Sequence, residues 1–230
     1  KGTRVHLYQQ VVESMVQRWQ HRRSTIPKDA LISIFSDMAF YIHSRSGAGL
    51  IDELDLTHLC RLSLRQWYSQ HVDSTHFSST NIRQQTQQFI QFISEDAGIV
   101  AARALCVCGF LHLTLQEYFV CLALVNVDHS NLVETIEQLA TRFLSLGSNS
   151  RLREPMNLAL GWISLHWSFE NFDYFCIQLQ SKTNLSNTYF PMGSLLFISG
   201  LDDLVCLPSV STMHNILNSL FELDIDNLNF

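Results

Sequence analysis

The sequence predicts a mainly α-helical protein, in which a winged-helix-like module with a small β-hairpin is followed by stacked antiparallel helices. Three observations support this fold class. Apolar residues recur at helical spacing along most of the 230 residues. Two short runs of β-forming residues interrupt that spacing between residues 98 and 111. Beyond them, helical segments recur about every 20 residues without a matching sequence repeat, as in stacked helical pairs.

The first segments of the chain carry helix signals. Residues 4–23 place an apolar stripe on one helical face and end in arginines, which stabilise the negative end of the helix dipole. Pro27 suits the first turn of a second helix, which Gly47 and Gly49 end. Thr57 is the expected cap of a third helix.

A β-hairpin closes the predicted module. A fourth helix over residues 81–93 leads to the runs Gly98–Ala102 and Leu105–Leu111, with the expected turn at Arg103–Ala104. Three helices followed by a hairpin and another helix outline a winged-helix-like module.

The later segments all predict helices. Thr114 and Glu117 have capping-box spacing ahead of an apolar run, and Asn131 and Glu134 repeat that spacing. Pro155 occupies another helix entrance. The remaining predicted helices cover residues 169–181, 192–204 and 211–223.

Charge and pattern both change near Asn126–Ser130. We therefore predict two domains: a winged-helix-like regulatory domain over 1–127 and a helical, repeat-like domain over 128–230. Residues 1–103 carry 11 basic and 9 acidic side chains, whereas residues 104–230 carry 4 basic and 12 acidic ones. The net charge of -6 and the pI of about 5.9 argue against nucleic-acid binding, which requires a basic face.

The start of the chain and its cysteines indicate a piece of a longer protein and its cellular location. The chain begins at Lys1 rather than Met, so we expect a piece of a longer protein. No signal peptide and no apolar run long enough to span a bilayer is visible in the sequence. The six cysteines are too irregular for a disulfide framework, which favours free thiols and a cytoplasmic location. Cys106 and Cys108 share one face of a predicted strand, but the local sequence lacks the two further ligands that zinc requires.

The sequence contains none of the motifs that mark common catalytic centres. It has no GxxxxGK[ST] phosphate-binding loop, no GxSxG, no HExxH and no GxGxxG. We therefore expect no enzyme activity, metal or cofactor from this chain alone.

The segment Phe110–Phe119 contains the candidate binding residue. His112 lies between the predicted hairpin and a capped helix, where backbone N–H groups and the helix dipole favour an anion. The same field favours a neutral imidazole, which can donate one hydrogen bond to a phosphate. The alternative is a structural histidine that is bonded to a nearby carbonyl group.

This segment resembles the F-[LI]-H-x-[TS]-F-Q-E-[FY] motif that closes the winged-helix part of NACHT-type STAND NTPases, the class that includes NOD-like receptors. Leu7 to Trp19 is similar to the LYxxxxExxxxRW helix that follows the ATPase core of these proteins. Arg153 to Trp162 is similar to a helix that opens their superhelical region.

The resemblance implies a role for His112. In this family the motif histidine contacts the β-phosphate of ADP, which is bound on the upstream ATPase domain of the same chain. The resemblance therefore implies ADP or ATP, with magnesium, in the parent protein. ADP holds the closed state, and exchange for ATP leads to homo-oligomers that act through protein partners in signalling, including innate immunity. Leu115 stands where Phe is usual, and Val120-Cys121 replaces a small Ala-Ala pair.

Three other functions stay open. The acidic region 130–230 is suited to bind a basic protein partner, as a scaffold without nucleotide-linked switching. A winged helix can bind nucleic acid, although Arg61 and Arg65 are the only cations of the third predicted helix. The last alternative is an enzyme of another type, against which the missing motifs argue.

Overall fold

A computed structural model of the chain describes residues 3–20, 25–45, 49–71, 79–95, 98–126, 132–184 and 191–221. Within these residues the fold is mainly helical with one small antiparallel sheet, which confirms the predicted fold class. The chain divides into two compact units. The N-terminal unit comprises His6–Ala123, and the C-terminal unit comprises Leu124–Phe230 together with Lys1–Val5.

The N-terminal unit contains the helices and strands of a winged-helix domain. Its elements are α1 (Arg4–Gln20), α2 (Lys28–Arg45), β1 (Ile51–Asp52), α3 (Glu53–His71), α4 (Ser79–Glu95), β2 (Val100–Ala104), β3 (Val107–Phe110) and α5 (Leu113–Val125). From α2 onwards the order is helix, strand, two helices and a hairpin, and the antiparallel sheet has the strand order β1-β3-β2. This is the order of a winged helix.

Strand β1 is the element that the sequence pattern missed. It has only two residues, too few to show an alternation of apolar and polar side chains. Ile51 pairs with Cys108 of β3. The N–H of Glu53 donates to the carbonyl of Cys106 at 2.9 Å, which fixes the start of α3 against the hairpin turn.

An aromatic cluster forms the core of the N-terminal unit. The ring of Phe35 lies 5.3 Å from the rings of both Phe89 and Phe119. Trp19 lies 5.8 Å from Phe89, and Phe110 of β3 lies 5.7 Å from Phe119. These rings join four helices to the sheet, so they also fix where β3 ends and α5 begins.

The C-terminal unit is a stack of helices with two short 3-10 turns. Its elements are α6 (Leu132–Leu146), the turn Ser150–Leu152, α7 (Arg153–His166), α8 (Phe169–Asn184), α9 (Met192–Ser199), the turn Leu201–Asp203 and α10 (Val210–Phe221). Helix α8 packs against α6 and α9, and α9 also packs against α7 and α10. The hydroxyls of Ser194 and Ser219 lie 2.6 Å apart, so α9 begins beside the end of α10, as in an antiparallel pair.

The first residues of α1 belong to the C-terminal unit. Arg4 donates to both carboxylate oxygens of the buried Asp203, at 2.8 and 2.6 Å, and to Glu154 at 3.2 Å. Hydrogen bonding to Asp203 raises the pKa of the Arg4 guanidinium. Val5 is buried beside Gly161, where an added Cβ would lie 2.9 Å from the Val5 side chain and 2.6 Å from the Asp203 carbonyl. Glycine at position 161 therefore permits this close approach.

The hairpin turn differs from the predicted one. It lies at Leu105–Cys106 rather than Arg103–Ala104, because β2 pairs as far as Ala104 and Cys106 takes a positive φ of 58°. Cys106 is consequently exposed in the turn, whereas Cys108 is buried in β3. The prediction that these two cysteines share one face of a strand is wrong.

Two predicted helix caps are also wrong. Helix α3 begins at Glu53, and its cap is Asp52, whose Oδ1 accepts from the N–H of Asp55 at 2.8 Å. Thr57 lies inside this helix. Helix α5 begins at Leu113, so Thr114 also lies inside a helix and is not the N-cap residue that the predicted capping box with Glu117 requires. Helix α9 ends at Ser199, five residues before the predicted end, and a 3-10 turn follows Gly200.

Some predictions concern residues that the structure does not describe. Gly47, Asn131 and the predicted domain boundary after residue 127 lie outside the described residues. In the described part of the chain, no helix combines the length and the hydropathy that a bilayer span requires.

Candidate functional site

His112 lies where β3 ends and α5 begins. The residue before it is held by a hydrogen bond from the Leu111 N–H to the Ile99 carbonyl, at 3.0 Å. The His112 carbonyl accepts from the N–H of Gln116 at 3.2 Å, which makes His112 the N-cap residue of α5. The side chains of His112 and Thr114 are exposed. An exposed helix start with an imidazole beside it is a favourable place for an anion.

Gln116 anchors the first turn of α5 on its buried side. Its side chain is only 5% exposed, and its Nε2 lies 3.1 Å from Nδ1 of His43 in the last turn of α2. Nδ1 accepts this hydrogen bond when the imidazole proton is on Nε2. The bond ties the start of α5 to the end of α2.

Arg103 adds a cation next to the segment that carries His112. Its Nη2 donates to the carbonyl of Phe110 at 2.9 Å, and its side chain is exposed at the end of the hairpin. A guanidinium has five N–H donors, so one carbonyl does not exhaust its capacity. The guanidinium thus adds positive charge beside Phe110, two residues before His112.

The residues that depart from the family motif lie in the core. Leu115, Val120 and Cys121 are all buried in α5. His112, by contrast, lies at the exposed start of the helix. The motif departures and the candidate contact therefore occupy different sides of α5.

The described residues contain no group of three or more His, Cys, Asp and Glu side chains that suits a metal ion. Burial raises the pKa of the Cys108 thiol to about 11 and that of Cys60 to about 12. Both thiols are therefore protonated at neutral pH, which makes them poor ligands and poor nucleophiles.

Helix α4 occupies the place of a DNA-recognition helix. In helix-turn-helix proteins the second helix of the motif enters the major groove, and here α4 follows α3 in that order. Arg61 and Arg65, which the sequence analysis considered, lie on α3. Helix α4 contains one basic residue, Arg83, and one acidic residue, Glu95, so its sequence gives it no basic face.

The sequence analysis proposed His112 but none of the residues that hold the segment around it. A polar Gln116 between Leu115 and Tyr118 is the available signal, since a polar side chain in an apolar run needs a buried partner. No local pattern identifies that partner, because His43 is 73 residues away in the chain. The hydrogen bond of Arg103 likewise depends on the position of the hairpin turn.

Comparison with known proteins identifies no relative. No family model, no curated protein and no solved structure matches this chain. The family resemblance of the Phe110–Phe119 segment therefore stays a prediction.

Proposed function

We propose that this chain is the winged-helix part and first helical part of a NACHT-type STAND ATPase, where it couples the bound nucleotide to assembly. In this proposal the P-loop and magnesium site belong to an upstream domain of the same protein. The chain itself is regulatory and catalyses no reaction. Its location is cytoplasmic, and the assembled form is a homo-oligomer that signals through protein partners.

The contact that couples nucleotide to conformation is made by His112. Its imidazole donates one hydrogen bond to the β-phosphate of ADP, and the N–H groups at the start of α5 add a favourable field. ADP thereby binds the closed state better than the open state, and this difference in affinity shifts the population toward the closed state. Exchange for ATP removes the bias and permits assembly.

One observation carries the proposal: the motif histidine is the exposed N-cap residue of a helix that directly follows a winged-helix hairpin. A histidine buried among aliphatic side chains would be unable to reach a nucleotide on another domain. The Arg103 guanidinium, bonded to the Phe110 carbonyl, gives further support because it adds positive charge beside the segment that carries His112.

The first test is His112→Ala in the full-length protein. We expect ADP to dissociate about tenfold faster, which corresponds to the loss of one hydrogen bond to a charged group. We also expect a larger oligomeric fraction in the absence of stimulus. Stopped-flow release of a fluorescent ADP analogue and size-exclusion chromatography with light scattering measure the two effects.

His58→Ala is the matched control, because His58 is also exposed but lies on α3, away from any helix start. It should release ADP at the wild-type rate. Equal release rates for the His112 variant and the wild type would contradict the proposed contact.

A protein-binding scaffold is the second function, and the exposed side of α10 favours it. Val210 and Phe221 are 88% and 82% exposed, and Leu217 lies on the same side of the helix at 38%. Helix α10 has no charged residue, while residues 104–230 as a whole are acidic. This surface fits a partner with apolar side chains flanked by basic ones. Identical partner affinity with ADP and with ATP in the full-length protein would favour the scaffold over the switch.

A further inference from the structure

We propose that His43 is a positioning residue for the nucleotide contact of His112, and that it acts through Gln116. This inference rests on the proposed function and names residues that the family motif does not assign to it. Three observations carry it: the hydrogen bonds of Gln116, the burial of its side chain, and the fixed end of α2.

Gln116 links two parts of the N-terminal unit through opposite ends of one residue. Its backbone N–H holds the carbonyl of His112 at 3.2 Å, and its side-chain amide holds Nδ1 of His43 at 3.1 Å. Both bonds hold the first turn of α5, so loss of the side-chain bond loosens the turn whose backbone fixes His112. The position of the His112 ring is therefore coupled to His43, although the two residues lie on different elements.

The buried Gln116, paired with a half-buried His43, indicates a role in orientation rather than in core stability. The neighbouring inward positions of α5 carry Leu115, Tyr118 and Phe119, and an apolar side chain would fill the place of Gln116 without needing a partner. A buried amide that must find one acceptor allows fewer arrangements of the helix start than an apolar contact does. The pair thus favours a single position of α5 relative to α2.

The end of α2 is itself held in place, so it can serve as a support. The hydroxyl of Tyr41 bonds to the carboxylate of Asp55 on α3. Arg45 donates to the Tyr41 hydroxyl at 3.1 Å and lies over the Tyr41 ring, 4.5 Å from its centre. His43 lies between these two residues, and α2 also packs along α3. Because the end of α2 is already fixed, less conformational entropy is lost when a ligand binds.

The test uses the full-length protein and the release rate of a fluorescent ADP analogue. His43→Ala and Gln116→Leu should each speed release about tenfold, as expected when a hydrogen bond that orders the site is lost. His43→Asn should restore most of the retention, because Asn Oδ1 stands as many bonds from Cβ as imidazole Nδ1 and accepts the same hydrogen bond. Circular dichroism and thermal melting identify any variant that fails to fold. If His43→Ala fails to fold, His43→Asn still tests the inference.

A double variant separates positioning from a general loss of structure. If His43 acts through His112, then His43→Ala together with His112→Ala should release ADP no faster than His112→Ala alone. Additive effects would overturn the inference, as would wild-type release by His43→Ala or a folded His43→Asn variant that restores nothing.

The same experiment distinguishes this inference from the proposed function. If His112→Ala speeds release and His43→Ala does not, the inference fails and the proposed function stands. If His112→Ala has no effect, or if the full-length protein binds no ADP, both fail.

Discussion

The two units of the chain stabilise their non-helical segments in different ways. In the N-terminal unit, the hairpin makes its own backbone hydrogen bonds, and the rings of Phe110 and Phe119 cover it. In the C-terminal unit, the segment that follows the 3-10 turn is held by side chains of α7 and α8. Ser164 Oγ accepts from the Val205 N–H at 3.0 Å, and Asp173 accepts from the Ser209 N–H at 2.7 Å.

This difference has a physical reason. Strands satisfy one another's backbone groups, so a hairpin needs only apolar cover. A segment without strands or helices must find its backbone partners among side chains, which then have to be polar and at least partly buried. The N-terminal unit should therefore be most sensitive to the loss of apolar volume, and the C-terminal unit to the loss of specific polar groups.

The largest expected effect is Phe35→Ala in the N-terminal unit. Phe35 is fully buried and contacts three rings of the aromatic cluster, so the variant should lose about 3–5 kcal/mol of unfolding free energy. Denaturant titration measures the loss, and amide exchange locates it in His6–Ala123. Leu105→Ala is the control, because Leu105 is 93% exposed and its truncation should change stability by less than about 0.5 kcal/mol. Equal losses of stability in the two variants would contradict the view that apolar volume holds the N-terminal unit together.

The second effect is Arg4→Ala in the C-terminal unit. It leaves the buried Asp203 carboxylate without its bidentate partner, but Arg4 is half exposed, which lowers the effect below that of a fully buried pair. We expect a loss of about 1–3 kcal/mol, between the values for exposed and buried ion pairs. The measurement is denaturant unfolding with amide exchange of Leu124–Phe230.

Arg153→Ala is the matched control for Arg4→Ala. Arg153 is exposed at the start of α7, and its loss should change stability by less than about 0.5 kcal/mol. If the Arg4 variant were as stable as this control, the view that polar contacts hold the C-terminal unit would lose its main support.

The smallest effect is a pH-dependent one at Asp37, which accepts a hydrogen bond from Ser63 at 2.5 Å. Burial raises the pKa of the Asp37 carboxyl above its ordinary value, so the folded state binds this proton more tightly than the unfolded state does. Ionised Asp37 therefore costs stability at pH values above the folded pKa, and this cost disappears below the unfolded pKa.

Asp37→Asn removes that cost while it keeps an acceptor for Ser63. The variant should be slightly more stable than the wild type at pH 7, and this gain should fade as the pH falls below the ordinary range of a carboxyl group. Unfolding curves at several pH values measure it. Asp202→Asn, which removes an exposed carboxyl group of the C-terminal unit, is the control. A gain that grows in acid would contradict the assigned direction.

Local patterns predicted the parts of the fold that local forces determine. The apolar stripes of α1 and α2, the hairpin and the position of His112 before a helix all follow from short stretches of sequence. The two-residue strand β1 does not, because its pairing with Cys108 depends on a segment far along the chain. Thr57 is a plausible cap by residue type, but the helix begins at Glu53, whose N–H bonds to Cys106, and its cap Asp52 lies five residues earlier.

The long-range side-chain contacts of both units could not be predicted from the sequence for the same reason. His43 and Gln116 are 73 residues apart, and Arg4 and Asp203 are 199 apart. Neither pair has a spacing rule, since each depends on tertiary packing that brings the ends of different helices together. A sequence shows which polar residues need partners, and the fold decides which partners they have.

The contacts of Arg4 and Val5 with the C-terminal unit determine how far the chain can be shortened from its N-terminus. A truncation after Val5 would remove none of Leu124–Phe230, yet it would uncover Gly161 and strip Asp203 of its guanidinium. The loss of stability would therefore occur in the C-terminal unit, in helices that keep all of their own residues.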